Sequence, residues 1–140
     1  MTAQQKAERL HRKVNTFILS CVGADGYPLT KAVVPGKYRE SLDVLYFATN
    51  TSSNFAAAIS ENPKANVYYY SRKFIVWKGC SLKGEMEIVT DLSVKERYWQ
   101  EKFKAAYEEN SFTDPDFCLI KFTPKSGRFY ANFTLEDFEI

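Results

Sequence analysis

Thr16-Phe17-Ile18-Leu19-Ser20-Cys21-Val22 runs into Ala24-Asp25-Gly26-Tyr27-Pro28 and returns through Leu29 to Pro35. The first segment is almost wholly apolar, as a buried strand is. Asp25-Gly26 is a hairpin signal, because glycine takes the positive φ such a turn needs at no steric cost. Two strands joined by so short a turn are antiparallel, since a parallel pair needs a crossover of a dozen residues or more. The chain therefore opens its sheet with a hairpin and not with a βαβ unit.

The rest of the sequence extends that pattern. Gly36 to Asp43 is a polar turn, and Val44 to Thr49 predicts a third strand. Asn50-Thr51-Ser52-Ser53-Asn54 supplies capping residues for a short helix from Phe55 to Ile59, which Asn62-Pro63 stops because the residue before proline resists the α region. Ala65 to Ser71, with Tyr68, Tyr69 and Tyr70, predicts a strand. Phe74 to Thr90 predicts a long β region, in which Gly79 and Gly84 mark bulges or bends. Ser93 with Glu96 has capping-box spacing and opens a helix to about Glu108. Phe117 to Phe122 and Gly127 to Phe133 predict two last strands, joined at Pro124-Lys125-Ser126. At the other end, Thr2 and Gln5 form a further capping box, for a helix from Thr2 to Val14. Strands dominate and the helices are few, so the prediction is a mainly β fold: one small antiparallel barrel over residues 1–140, with a short N-terminal helix.

Composition narrows the function. The 140 residues are 45% hydrophobic and 26% charged, the balance of a globular chain. Lys and Arg total 19 against 17 Asp and Glu, with no basic block, which argues against nucleic acid and membrane surfaces as partners. Aromatic residues at 16% suit a pleated, half-buried surface. Cys21, Cys80 and Cys118 are far apart and odd in number, which predicts reduced thiols in a cytoplasmic protein. Met1 to Lys13 is too polar for a signal peptide, and no apolar run approaches the ~18 residues of a spanning helix. His11 is the sole histidine and sits in a charged stretch, which predicts a surface position.

Three segments carry the candidate chemistry. Gly26-Tyr27-Pro28-Leu29-Thr30-Lys31 has a Gly-x-Pro-x-x-basic pattern. Phe47, Thr49 and Ser53 make a Phe-x-Thr-x-x-x-Ser pattern, and Pro63 follows Ser53 by ten positions. The third is Phe74 to Gly84, leading to Glu87 through Asp91. In order and spacing these resemble the pyridoxamine 5′-phosphate oxidase-like family, the flavin-binding split barrels, from about Thr16 to Tyr130. The Asp114-Pro115-Asp116 loop resembles the general-stress-protein branch.

The resemblance implies a split barrel that binds FMN at a homodimer interface and oxidises or reduces a small molecule, with a nicotinamide as a possible electron donor. Thr49, Ser52 and Ser53 precede a helix, where free N–H groups and hydroxyls favour a phosphate. Lys31 is the cation to neutralise it. The backbone at Ala32, Val33 and Val34 meets the edge of the ring, Phe47 and Ala48 lie on the adjoining strand, and Lys78 approaches from the partner chain. Trp77 and Trp99 are candidates for the cleft wall. Family members carry one or two cations just after the position of Ser53, whereas this chain has Asn54 and Phe55. A lost charge-assisted phosphate contact costs about 1.5–3 kcal/mol, roughly one to two powers of ten in affinity. That departure admits an alternative, a non-catalytic flavin or other cofactor module with a weakened phosphate site. True oxidases carry further contacts in a longer tail than one ending at Ile140, so the expected substrate is not pyridoxamine phosphate. No side chain stands out as a general acid or base, and none as a metal ligand. Cys21 and Cys118 are expected to be inert core thiols, and Cys80 is the candidate for reactivity.

Overall fold

A computed structural model describes residues 1–140. In chain order it contains α1 (Ala3–His11), β1 (Phe17–Val22), β2 (Pro28–Val33), β3 (Leu45–Asn50), α2 (Asn54–Glu61), β4 (Lys64–Lys73), β5 (Val76–Val89), α3 (Leu92–Tyr98), a 3-10 segment (Glu101–Ala106), β6 (Phe117–Ala131) and β7 (Thr134–Glu139). The strands form one sheet in the order β2-β1-β4-β5-β6-β3, with β7 also paired to β6. Every pairing is antiparallel. The expected antiparallel barrel class is correct.

The opening hairpin forms as its turn chemistry dictates. Gly26 has φ 84°, the Gly26 N–H donates to Gly23 O, and Asp25 Oδ1 accepts from Tyr27 N. β1 is not buried on both faces. Phe17, Leu19 and Cys21 face inward and alternate with more exposed neighbours. The inward residues of β1, β3, β4, β5 and β6 fill the barrel with Phe17, Leu19, Phe47, Val67, Tyr69, Leu82, Met86, Ile120 and Phe122. α1 plugs one side of this core. Its capping box forms in both directions, and Ala7 O accepts a hydrogen bond from the buried Tyr69 hydroxyl at 3.0 Å.

A second, smaller core lies on the other face of β6, where Trp99, Tyr107, Phe117 and Leu119 pack together. It breaks the expected helix from Ser93 to Glu108. Asp91, not Ser93, caps α3, accepting from Ser93 N and Val94 N. The helix ends at Tyr98 because Trp99 turns into extended backbone and sets its ring 5.0 Å from Phe117. Burial of that large aromatic outweighs the continuing helical period.

The C-terminal half departs further. The two strands expected around Pro124-Lys125-Ser126 are one strand, Phe117–Ala131, and a seventh strand follows it. Proline has no N–H for a ladder and is tolerated at a bulge. Pro124 pairs with Gly84, where the β5 register shifts. A Cβ on Gly84 would lie 2.2 Å from Thr123 O, so only glycine lets the strands cross there. The reversal comes at Asn132 and Phe133, both at positive φ. Likewise Phe74, expected inside a strand, is at φ 56° in the tip of the β4–β5 hairpin. His11 is not on the surface. It is 3% exposed, with its ring against Phe17 and Tyr69.

Candidate functional site

The barrel is split where β2 and β3, the two ends of the strand order, come together without a ladder. An edge strand leaves a row of backbone N–H and C=O groups unpaired. Side chains cross the gap instead. Lys31 stands opposite Leu19, on the inward-facing register of β1 and β2. Its Nζ reaches over and donates to Thr49 Oγ1 on β3 at 2.6 Å. The same ammonium lies 4.7 Å from the centre of the Phe55 ring at the start of α2. Burial lowers the Lys31 pKa, partly offset by the nearby Cys118 and Cys21 thiols. At the far end of β2, Gln100 Nε2 donates to Pro35 O, and Gly36 passes so close to Tyr46 that a Cβ would sit 2.4 Å from its carbonyl oxygen.

Thr49 is 5% exposed. Its carbonyl oxygen accepts from the Tyr107 hydroxyl at 3.2 Å, and the same hydroxyl contacts Asn50 Oδ1. Tyr107 thus ties the second core to the end of β3. The following turn, Asn50 to Ser53, is the expected phosphate cradle, and the N–H groups of Thr51, Ser52 and Ser53 already have partners. Ser53 N donates to Asn50 O, and Ser53 Oγ accepts from Ala56 N as the N-cap of α2. Thr51 N donates to Asp116 O, and Thr51 Oγ1 to Pro115 O. The Asp116 carboxylate takes Ser52 N at 2.9 Å with one oxygen and Asn50 Nδ2 at 2.8 Å with the other. The hydrogen bonds from Ser52 and Asn50 hold that carboxyl below its ordinary pKa.

Asp116 is placed by Asp114. The buried Asp114 carboxylate accepts from Asp116 N and Glu109 N, while its carbonyl oxygen accepts from the buried Lys95 ammonium. Asp114, Asp116, Tyr107 and Lys95 are the parts of this region that sequence reasoning left without a role. An Asp-Pro-Asp turn before a strand was the available signal, but its partners lie 64 positions earlier.

The remaining expected residues are distributed around this turn. Phe47 is buried in the main core, and Ala48 packs against the second one. Ala32 and Val34 are exposed, with Val33 half-buried between them, along the free edge of β2. Ser52 and Asn54 are exposed on the turn. Lys78 lies apart, on β5 opposite Ser71 and Ala131, and makes no hydrogen bond or ion pair with the others. Trp99 belongs to the second core, whereas Trp77 is partly exposed and stacks on Tyr70 at 5.3 Å. Cys80 is fully buried, and burial pushes its thiol up to about 11, which removes the expected reactivity.

An antiparallel sheet curled into a barrel, left open between β2 and β3, with a short helix starting at the gap, defines a split-barrel protein. The pyridoxamine 5′-phosphate oxidase-like family model matches residues 5–136, and the chain belongs to that family. Among solved structures it is similar to a protein from Clostridium acetobutylicum related to general stress protein 26 of Bacillus subtilis and described as of the pyridoxinephosphate oxidase family. The identity is 26%, over 98% of this chain and 94% of that one, with a TM-score of 0.84. General stress protein 26 from Bacillus anthracis str. Sterne is 22% identical, with all of both chains covered and a TM-score of 0.79. A heme binding protein from Mycobacterium smegmatis shares the fold at 13% identity and a TM-score of 0.80, with 99% of this chain covering 58% of that one. No curated protein matches the chain. No helix is long and apolar enough to cross a membrane.

Proposed function

We propose that the chain is a flavin-binding redox protein that holds the isoalloxazine ring at the split between β2 and β3, at a homodimer interface, and acts on a small molecule. The family match over residues 5–136 carries this reading. The unpaired edge of β2 at Ala32 to Val34 supports it, because free N–H and C=O groups suit the polar edge of such a ring. Exposed apolar side chains support the homodimer. Phe74 and Ile75 at one hairpin tip and Phe133 at the next are each at least 95% exposed. Lys78 is next to these tips in the ladder, so pairing of two copies through them would bring it to the interface.

The residues fit the two ends of FMN unequally. The ring end has a free strand edge. The phosphate end has the Lys31 ammonium, already donating to Thr49, but Asn54 and Phe55 where the family has further cations, and a carboxylate on the Ser52 N–H. FMN, the cofactor expected from the resemblance, is therefore held by its ring and disfavoured at its tail. A flavin bound there supplies the redox chemistry, and the chain's part is to bind, orient and shield it. Heme, bound by one structural neighbour, is the weaker alternative. The sole histidine of this chain is buried in the core and offers no axial ligand.

The test is titration of the purified chain with riboflavin and with FMN, followed by ring fluorescence, then addition of a nicotinamide donor. Binding by Kd below the millimolar range and bleaching of the bound ring are expected. Lys31→Ala should weaken flavin binding by about tenfold, the size of a charge-assisted contact. A protein that ignores both flavins refutes the proposal, and one that binds them without bleaching leaves a carrier or sensor in place of the redox role.

A further inference from the structure

We infer that Asp116 is a specificity residue of the split, whose carboxylate fills the anion position at the turn before α2 and makes the site refuse a phosphate-bearing flavin in favour of one with an uncharged tail. A phosphate at a helix start needs backbone N–H groups, and usually a cation, aimed outward. Here both carboxylate oxygens of Asp116 already accept from that turn, one from Ser52 N and the other from Asn50 Nδ2. Thr51 N and Ser53 N are spent on Asp116 O and Asn50 O, which leaves only the Asn54 and Phe55 N–H groups at the helix start without a partner. The backbone that carries this side chain is pinned on both flanks. Asp116 N donates to Asp114 Oδ1 at 2.8 Å, and Asp116 O holds Thr51 N at 2.9 Å. The carboxylate stays ionised at neutral pH, since its hydrogen bonds favour the charged form.

The nearby cations do not offset it. Lys31 is directed into the mouth of the barrel toward Thr49 and Phe55, and the Lys95 ammonium is buried on Asp114 O. A phosphate dianion would compete with a fixed carboxylate for the same donors and repel it. A neutral ribityl tail meets no such penalty. The ligand class rests on the flavin proposal above, but the refusal of phosphate does not.

The experiment uses the full chain, its Asp116→Asn and Asp116→Ser variants, and three probes: riboflavin, FMN and inorganic phosphate. Flavins are followed by ring fluorescence, and phosphate by the backbone amide NMR shifts of Ser52, Asn54 and Phe55. The native chain is expected to bind riboflavin at least as well as FMN and to show no saturable phosphate shifts. In either variant FMN should gain about tenfold in Kd, about 1.4 kcal/mol, with riboflavin unchanged. Phosphate should then shift the Ser52 amide saturably. The same NMR spectra report folding, and Ser, an uncharged turn former, serves if the Asn variant is unfolded. Saturable phosphate shifts at Ser52 in the native chain overturn the inference, as does a folded variant with no gain for phosphate. If phosphate gains while neither flavin binds any form, the role of Asp116 stands and the flavin reading falls.

Discussion

Acid should destabilise this fold through His11. Its ring is buried against Phe17 and Tyr69, its Nδ1 has no hydrogen-bond partner, and its carbonyl oxygen accepts from Arg39 Nη1. Burial first, then the positive charges of Arg39 and Arg12, lowers its pKa from 6.5 to about 4. The unfolded chain takes up a proton near pH 6.5 and the folded chain only near pH 4, so between these values the unfolded state binds more protons. Stability is therefore untouched above pH 6.5 and falls with decreasing pH through the window from about 6.5 to about 4. Each pKa unit is worth about 1.4 kcal/mol, so the full loss is about 3 kcal/mol, a large part of a typical domain's stability.

Urea unfolding at half-unit steps from pH 7.5 to 4.5 measures this, with His11→Phe as the reference because an aromatic ring suits the same pocket. The carboxylates contribute equally to both proteins, so the difference between the two curves isolates His11. That difference should open below pH 6.5 at up to about 1.4 kcal/mol per pH unit. Because the chain has a single histidine, its ring-proton NMR titration gives an independent value. A difference curve flat from pH 7 to 4.5, or a ring titrating near 6.5, would refute the burial argument.

Two further outcomes follow from the core. Gly84→Ala should cost about 2 kcal/mol or more by thermal or urea unfolding, because its Cβ meets Thr123 O and Pro124 Cα, which are backbone atoms and cannot step aside. A loss under about half a kcal/mol, the size of a surface substitution, would show that the bulge accommodates it. All three cysteines are free and buried, so thiol reagents at neutral pH should modify them only at the rate of unfolding. A Cys80 that reacts as fast in the native chain as in urea would contradict its burial.

What could be read in the sequence was what local chemistry decides. Asp25-Gly26 gave away the hairpin because a positive φ is demanded there, and Thr2 with Gln5 gave away the start of α1 because both halves of the cap are within three residues. The residues for the split were also visible: Lys31 and Thr49 do meet, 18 positions apart. Features decided by distant partners were hidden. Pro124 reads as a turn until Gly84, its neighbour across the ladder, absorbs the distortion in a bulge. β7 escaped notice because Asn132-Phe133 places a bulky aromatic at positive φ, which no turn preference anticipates. His11 looked solvated because only the fold brings Tyr69 and Phe17 over it. The cradle before α2 looked vacant because its occupant, Asp116, arrives from the opposite end of the chain.

The inward lysine links fold and site. A sheet that stops short of closing leaves two edges with unsatisfied backbone groups, an invitation to pair with another chain. A leucine at position 31 would let β2 settle into the core it faces beside Leu19, and the gap would shrink. A lysine cannot do this cheaply, since its ammonium must stay solvated or hydrogen-bonded. It finds Thr49 Oγ1 and the Phe55 ring at the mouth, so β2 is tethered to β3 by a side chain in place of a ladder. Its partial burial lowers the Lys31 pKa. The cation is thus committed to Thr49 at the mouth, while at the turn beyond Asp116 accepts from Ser52 N and Asn50 Nδ2.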